Sequence, residues 1–310
     1  MEKIRMKTTL GSTTEQVFSS FLAAAAARGV KEKTLDTYKQ HFRSISKRLN
    51  TSLSIKELSR EDLDNMIFQM RSEQLSERSI NSYTRTLKVF LSWCNEEGYT
   101  TLNIKLYKAS EAVKETYTDE ELLILLKKPL ASCSFCEYRN WVIINFLLNS
   151  GCRAGTVRNI LNQDVDLSRK QIMFRHTKSG KVQCIPLCQT MVSILWDYIA
   201  IRQGEPDEPL FCSEFGTQLT ESGLHQAIET YNKSRGVSKT SVHAFRHTFA
   251  RKYLVDCRGD AFTLQKLMGH STLVMTKHYC NIFDSDISNN YDLRSPLSQI
   301  SKARGNAIKK

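Results

Sequence analysis

Apolar residues recur at spacings of three and four through the first hundred positions of the chain, the period of amphipathic helices. Glu15 to Ala27 is rich in alanine, a strong helix former, with Val17, Phe18, Phe21 and Leu22 on one side and Gly29 placed to end it. From Thr34 to Leu49 the stripe is Leu35, Tyr38, Phe42, Ile45 and Leu49, with Lys39, Arg43 and Lys47 beside it. Ser59 begins a third run that carries Leu63, Met66, Ile67 and Met70 on one face. Ser76 begins a fourth, with Ile80, Tyr83, Leu87, Phe90 and Leu91, which closes at Gly98. Four such helices on short loops predict a compact helical bundle over residues 1–105.

The pattern then changes. Residues 106–117 are mostly polar and lack periodicity, so they are expected to link the bundle to a second domain over 118–283. Thr118 and Glu121 form a capping-box signature that opens a new helix. An apolar run from Trp141 to Leu148 predicts a further helix ending near Asn149. Gln171 to Leu187 reads as a hairpin turning at Ser179-Gly180, followed by more helices as far as Tyr279. The fold class expected is mainly α, a helical N-terminal domain plus a mixed, mostly helical domain with a small antiparallel β-sheet. At 310 residues, two domains are the ordinary outcome.

Charge narrows the partner. The 44 Lys and Arg outnumber the 32 Asp and Glu, for a formal charge of +12. The excess is +5 over residues 1–116 and +7 over the remainder, so it belongs to folded sequence and not to a basic tail. Attraction to a polyanion, nucleic acid above all, is expected of both parts. No stretch approaches the ~18–20 apolar residues of a membrane span. Met1–Leu10 is polar and charged, without the apolar core of a signal peptide, and a cytoplasmic location is expected. Nine cysteines, an odd number without framework spacing, read as reduced thiols. Cys133-x-x-Cys136, with Cys184 and Cys188 further on, raises the question of zinc. The second pair lies in an apparent strand and His176 lacks a histidine partner at ligand spacing, so no metal is expected.

Candidate chemistry gathers in the second half. His243 and Arg246 are three apart, on one face of a helix that Ser241 or Thr240 could cap, and can share one anion near a helix N-terminus. His270 follows a glycine in Leu267-Met268-Gly269-His270-Ser271-Thr272, with Thr276 and Tyr279 beyond it. Arg153 stands at the end of the apolar run in Ser150-Gly151-Cys152-Arg153, and Lys178 occupies the hairpin. These are the residue types that a tyrosine attack on a phosphodiester needs. Two arginines neutralise the non-bridging oxygens, histidines donate hydrogen bonds, and a lysine protonates the departing alkoxide.

The motifs SGCRAGTVRNI, TKSGKVQCIPL, VHAFRHTFA, LMGHSTLVMT and KHYCNI together resemble the tyrosine recombinase (phage integrase) family, which includes Xer-type and lambda-type integrases. The resemblance runs from about Thr118 to Phe283. The N-terminal helices are similar in general character to the family's DNA-clamping, core-binding domain. The resemblance implies that Tyr279 attacks the scissile phosphate to give a 3′-phosphotyrosine and a free 5′-hydroxyl. Arg153 and Arg246 would hold the phosphate, Lys178 would act as general acid, and His243 and His270 would donate to the phosphate or assist proton transfer. No cofactor is implied. The partners implied are double-stranded DNA with inverted-repeat core sites, four protomers on two duplexes, and accessory DNA-bending or directionality proteins. The tail 284–310, with Ile287, Tyr291, Leu293, Leu297 and Ile300, would pack on a neighbouring protomer. His247 is read as supporting the site from behind.

Two positions stand apart from the pattern. Family members usually carry an acidic residue three after the first arginine, where this chain has Thr156, and Lys181 shares the hairpin with Lys178. The biological role expected is integration, excision or transposition of a mobile element. A type IB topoisomerase shares the chemistry, and a silent DNA-binding relative would share the fold; the hairpin, the LMGHST box and the intact set of catalytic side chains favour the recombinase.

Overall fold

In the computed structural model, the described residues are 12–106, 115–175 and 180–273, with Thr276, Ser295, Leu297, Ser298 and Ile300. The chain divides into two compact units, Met1–Ala112 and Val113–Lys310.

The first unit consists of four helices, α1 (Thr14–Ala27), α2 (Glu32–Ser46), α3 (Arg60–Ser72) and α4 (Glu77–Glu96). Three of their starts are set by side chains. Thr13 and Ser59 each close a capping box, and Ser76 accepts from the Ser79 backbone, satisfying amides that a helix N-terminus leaves without partners. The ends of α1 and α4 are set by backbone freedom, with Gly29 and Gly98 at φ 78 and 77. The buried face of α3 consists of Leu63, Met66, Ile67 and Met70, the set read from their spacing. On α1, Ala25 is buried where Leu22 is only half-buried, because close packing against α2 and α4 favours the small residue. Phe18 stacks on Phe42 at 3.7 Å between ring centroids, and Phe90 meets Phe18 edge-on at 5.2 Å.

The second unit is built around α6 (Phe135–Ser150), which packs against α5 (Asp119–Leu126), α8 (Gln189–Arg202), α9 (Glu221–Ser234) and α10 (Val242–Leu254). A helix covered on all sides must be apolar all round, and Trp141 to Ile144, Phe146 and Leu147 are all buried. The Thr118–Glu121 capping box opens α5 as expected. A short helix, α7 (Ala154–Arg158), follows α6, and α11 (Ala261–Met268) follows α10. Three antiparallel strands, β1 (Val165–Asp166), β2 (Gln171–Phe174) and β3 (Gln183–Pro186), pair in the order β1-β2-β3. The hairpin was legible in the sequence; β1 was not. The register sets Ile172 opposite Ile185 and Phe174 opposite Gln183, so that Ile172, Phe174 and Ile185 face the core.

Candidate active site

Arg246 lies on α10 and is 3% exposed, so its charge needs partners inside the protein. Two helix ends supply them. Nη1 donates to the Gly151 carbonyl at 2.6 Å, just past the C-terminus of α6, and Nη2 donates to the Met268 carbonyl at 3.0 Å, at the C-terminus of α11. The negative ends of two helix dipoles therefore converge on one guanidinium. Both helices end in a left-handed glycine, Gly151 at φ 58 and Gly269 at φ 60, which turns the chain sharply enough to aim these carbonyls.

His270 is buried next to the same arginine, with Nε2 2.7 Å from Arg246 Nη2 and Nδ1 2.9 Å from Thr276 Oγ1. A guanidinium only donates, so Nε2 accepts and the proton sits on Nδ1, donating to Thr276. Arg246 thereby fixes the tautomer, and the Thr276 hydroxyl accepts from Nδ1. The sequence placed this threonine in the motif but gave it no role.

His243 begins the same helix face one turn earlier. Ser241 occupies the N-cap position in extended backbone, although its side chain makes no capping hydrogen bond. The helix start is instead pinned by Tyr117, whose ring stacks on Phe245 at 4.1 Å and whose hydroxyl donates to the carbonyls of Lys239 and Ser241. His243 is exposed on one side, yet its pKa is lowered, first by loss of solvent on the other side and then by the charges of Arg246, His225 and Arg153. Arg153 and Arg246 are thus both within electrostatic reach of His243. The charge of His225, on α9, adds to the same lowering.

Arg153 is the N-cap residue of α7, in extended backbone, half-buried. Thr156, where an acidic residue was expected, is buried within α7, and its backbone amide donates to the Arg153 carbonyl at 2.8 Å. Burial pushes the Cys152 thiol up to about 11 against the opposing pull of Ser150 and both arginines, so this cysteine stays a neutral, unreactive thiol. Lys181 is exposed. Lys178 and Tyr279 lie outside the described residues. The described site therefore brings Arg153, His243, Arg246 and His270 together. Tyr117, Tyr198 and Tyr231 are poorly suited to act as nucleophiles, since each is buried, has its pKa raised by that burial and donates its hydroxyl to a backbone carbonyl.

The glycine at the end of α6 gives a stability test. A Cβ on Gly151 would overlap the Phe249 ring, and a side chain at φ 58 costs roughly 1–2 kcal/mol by itself. Gly151→Ala is expected to lower the melting temperature by about 4–8 °C in differential scanning calorimetry, for a total loss of about 2 kcal/mol. An unchanged melting temperature would show that Phe249 yields freely.

Residues 115–285 match the phage integrase family, and residues 18–98 match the phage integrase N-terminal SAM-like domain. Tyrosine recombinase XerC of Thermodesulfovibrio yellowstonii is 27% identical over 245 residues, covering 74% of this chain and 80% of that protein. Tyrosine recombinase XerA of Saccharolobus solfataricus is 26% identical over 312 residues, covering 96% and 99%. The Tn1549 transposon integrase in complex with transposon right end DNA has a similar structure, with a TM-score of 0.75 at 21% identity over 92% of this chain and 99% of that one. A lambda integrase dimer bound to a COC′ core site gives 0.72 at 20% identity over 86% and 95%. At these identities the structural likeness carries the fold.

Proposed function

Because the chain belongs to the phage integrase family of enzymes that cleave and rejoin DNA, we propose that its reaction runs through Tyr279 in the pocket formed around Arg246. The phenolic oxygen attacks the scissile phosphorus and the bond to the 5′ oxygen breaks, leaving a 3′-phosphotyrosine. Lys178 delivers a proton to the departing 5′ oxygen, and the phenolic proton passes to a neutral imidazole of the pocket. Arg153 and Arg246 hold the non-bridging oxygens, where charge builds in the transition state. Rejoining reverses these steps with a 5′-hydroxyl from the partner strand.

One observation carries this reading: a buried guanidinium set between two helix ends, with His270 in contact and with His243 and Arg153 sharing its field. A site of this kind is rigid before the phosphate arrives, which is what charge stabilisation in a transition state requires. The charge is met by side chains, so the scheme needs no metal or nucleotide. The partner is double-stranded DNA, attracted by net charges of +5 and +7 on the two parts of the chain. Four protomers act on two duplexes at inverted-repeat core sites. The exposed apolar side chains Leu297 and Ile300 suit the tail 284–310 to dock on a neighbour, and the helical domain over 1–105 suits the role of DNA clamp. Similarity to a transposon integrase favours movement of a mobile element; the same proposal includes a cytoplasmic location and help from DNA-bending or directionality proteins.

The test uses nicked DNA from the sequences flanking the gene, in which the 5′-hydroxyl diffuses away after cleavage. A covalent adduct on a denaturing gel, formed equally well in excess EDTA, is the expected result. Footprinting of an inverted repeat without any adduct would indicate a silent DNA-binding relative, and loss of cleavage in EDTA would overturn the metal-free scheme.

A further inference from the structure

A helix C-terminus leaves its last four carbonyls without partners inside the helix. In α11 every one is taken. His270 N donates to Gln265 O at 3.0 Å, Gly269 N to Lys266 O at 3.1 Å, and Arg246 Nη2 to Met268 O at 3.0 Å. Leu267 O is taken by the side-chain amide of Gln183 at 2.9 Å, and the same amide also donates to Lys266 O. Gln183 is the first residue of β3, on the inward register with Ile185, in a different part of the unit. The fit is close, since a Cβ on Gly269 would come within 2.7 Å of Gln183 Oε1.

The turn of chain that Gln183 grips is the one that presents both Met268 O and His270 Nε2 to Arg246. Displacing this turn changes where the guanidinium points. We propose that Gln183 is a positioning residue for DNA cleavage: by donating to Lys266 O and Leu267 O it holds the end of α11 in the place that aims Arg246 and His270 at the phosphate. The inference rests on the reading of Arg246 as a phosphate ligand.

Gln183→Glu keeps the shape but replaces the donor with an acceptor facing two carbonyls. Gln183→Leu removes the donor without adding charge. Cleavage of a nicked substrate is expected to slow by about 10- to 100-fold in the first and about 10-fold in the second, the scale of a displacement near 1 Å. DNA affinity and melting temperature should change little. A merely structural role is separated by a methylphosphonate at the scissile position, which removes one anionic oxygen and so lessens the need for an aimed guanidinium. Arg246→Gln serves as control. The expected result is that the methylphosphonate narrows the defect of both Gln183 variants and of Arg246→Gln. If it rescues Arg246→Gln but leaves the Gln183 variants as slow as before, Gln183 does not act through Arg246 and the proposal fails. If Arg246→Gln itself is not rescued, the phosphate-ligand reading fails and takes the proposal with it. Parental cleavage rates in both Gln183 variants would also overturn it.

Discussion

Tyr279→Phe is expected to bind DNA as tightly as the parent protein and to form no covalent adduct. The substitution removes one oxygen and leaves the ring, so only the proposed nucleophile is lost. Loss of a nucleophile outright is worth on the order of a million-fold in rate, which places residual cleavage below detection on a denaturing gel. Three other phenols of the unit offer no substitute. Tyr117, Tyr198 and Tyr231 are buried, donate to backbone carbonyls and have raised pKa values, so attack by any of them would require breaking the core open. The measurement pairs a gel shift, which reads affinity, with a suicide substrate, which reads chemistry. An adduct persisting at the parental level in Tyr279→Phe would reassign the nucleophile, and peptide mapping of the adduct would find it.

What the sequence disclosed, and what it withheld, follows from how far each interaction reaches along the chain. Helix starts are decided within four residues, and the capping residues Ser59, Ser76 and Thr118 stood where their patterns put them. The buried face of α3 was likewise legible, because a period of 3.6 is a local property. The two-residue strand β1 is too short to carry any period, and only its pairing with β2 creates it. The residue types at the site were legible as a set. Their wiring was not, because Arg246 finds its partners 95 residues upstream at Gly151 and 22 and 24 residues downstream at Met268 and His270, two of them through backbone carbonyls that no side-chain motif records. The sequence had His270 donate to the phosphate or assist proton transfer; the contact of its Nε2 with Arg246 is what the structure adds. Gln183 left one faint signal, a polar residue on the inward register of a strand whose next inward residue, Ile185, is core.

Substitution of Arg246 is expected to separate its structural role from the one proposed for it at the phosphate. In Arg246→Ala, the Gly151 carbonyl, the Met268 carbonyl and His270 Nε2 all lose a buried donor. Each unsatisfied group costs about 1–3 kcal/mol, so the variant should melt well below the parent, and its inactivity alone would say nothing about catalysis. Arg246→Lys is the informative change. A lysine keeps the positive charge but has a single nitrogen in place of a planar fork, so it cannot span two carbonyls on opposite helix ends and still face a phosphate. The fold should survive with a modest fall in melting temperature, because the charge still meets the negative ends of α6 and α11. Cleavage should fall by about 100- to 1000-fold, the scale on which removal of one aligned transition-state donor is felt. Binding to an uncleaved site should weaken far less, since the lost interaction matures only as charge builds on the phosphate. Single-turnover cleavage on a nicked substrate, set beside a binding isotherm at the same salt concentration, measures both quantities. Equal losses in binding and cleavage would mean that Arg246 anchors DNA in the ground state, and a parental cleavage rate would remove it from the phosphate altogether.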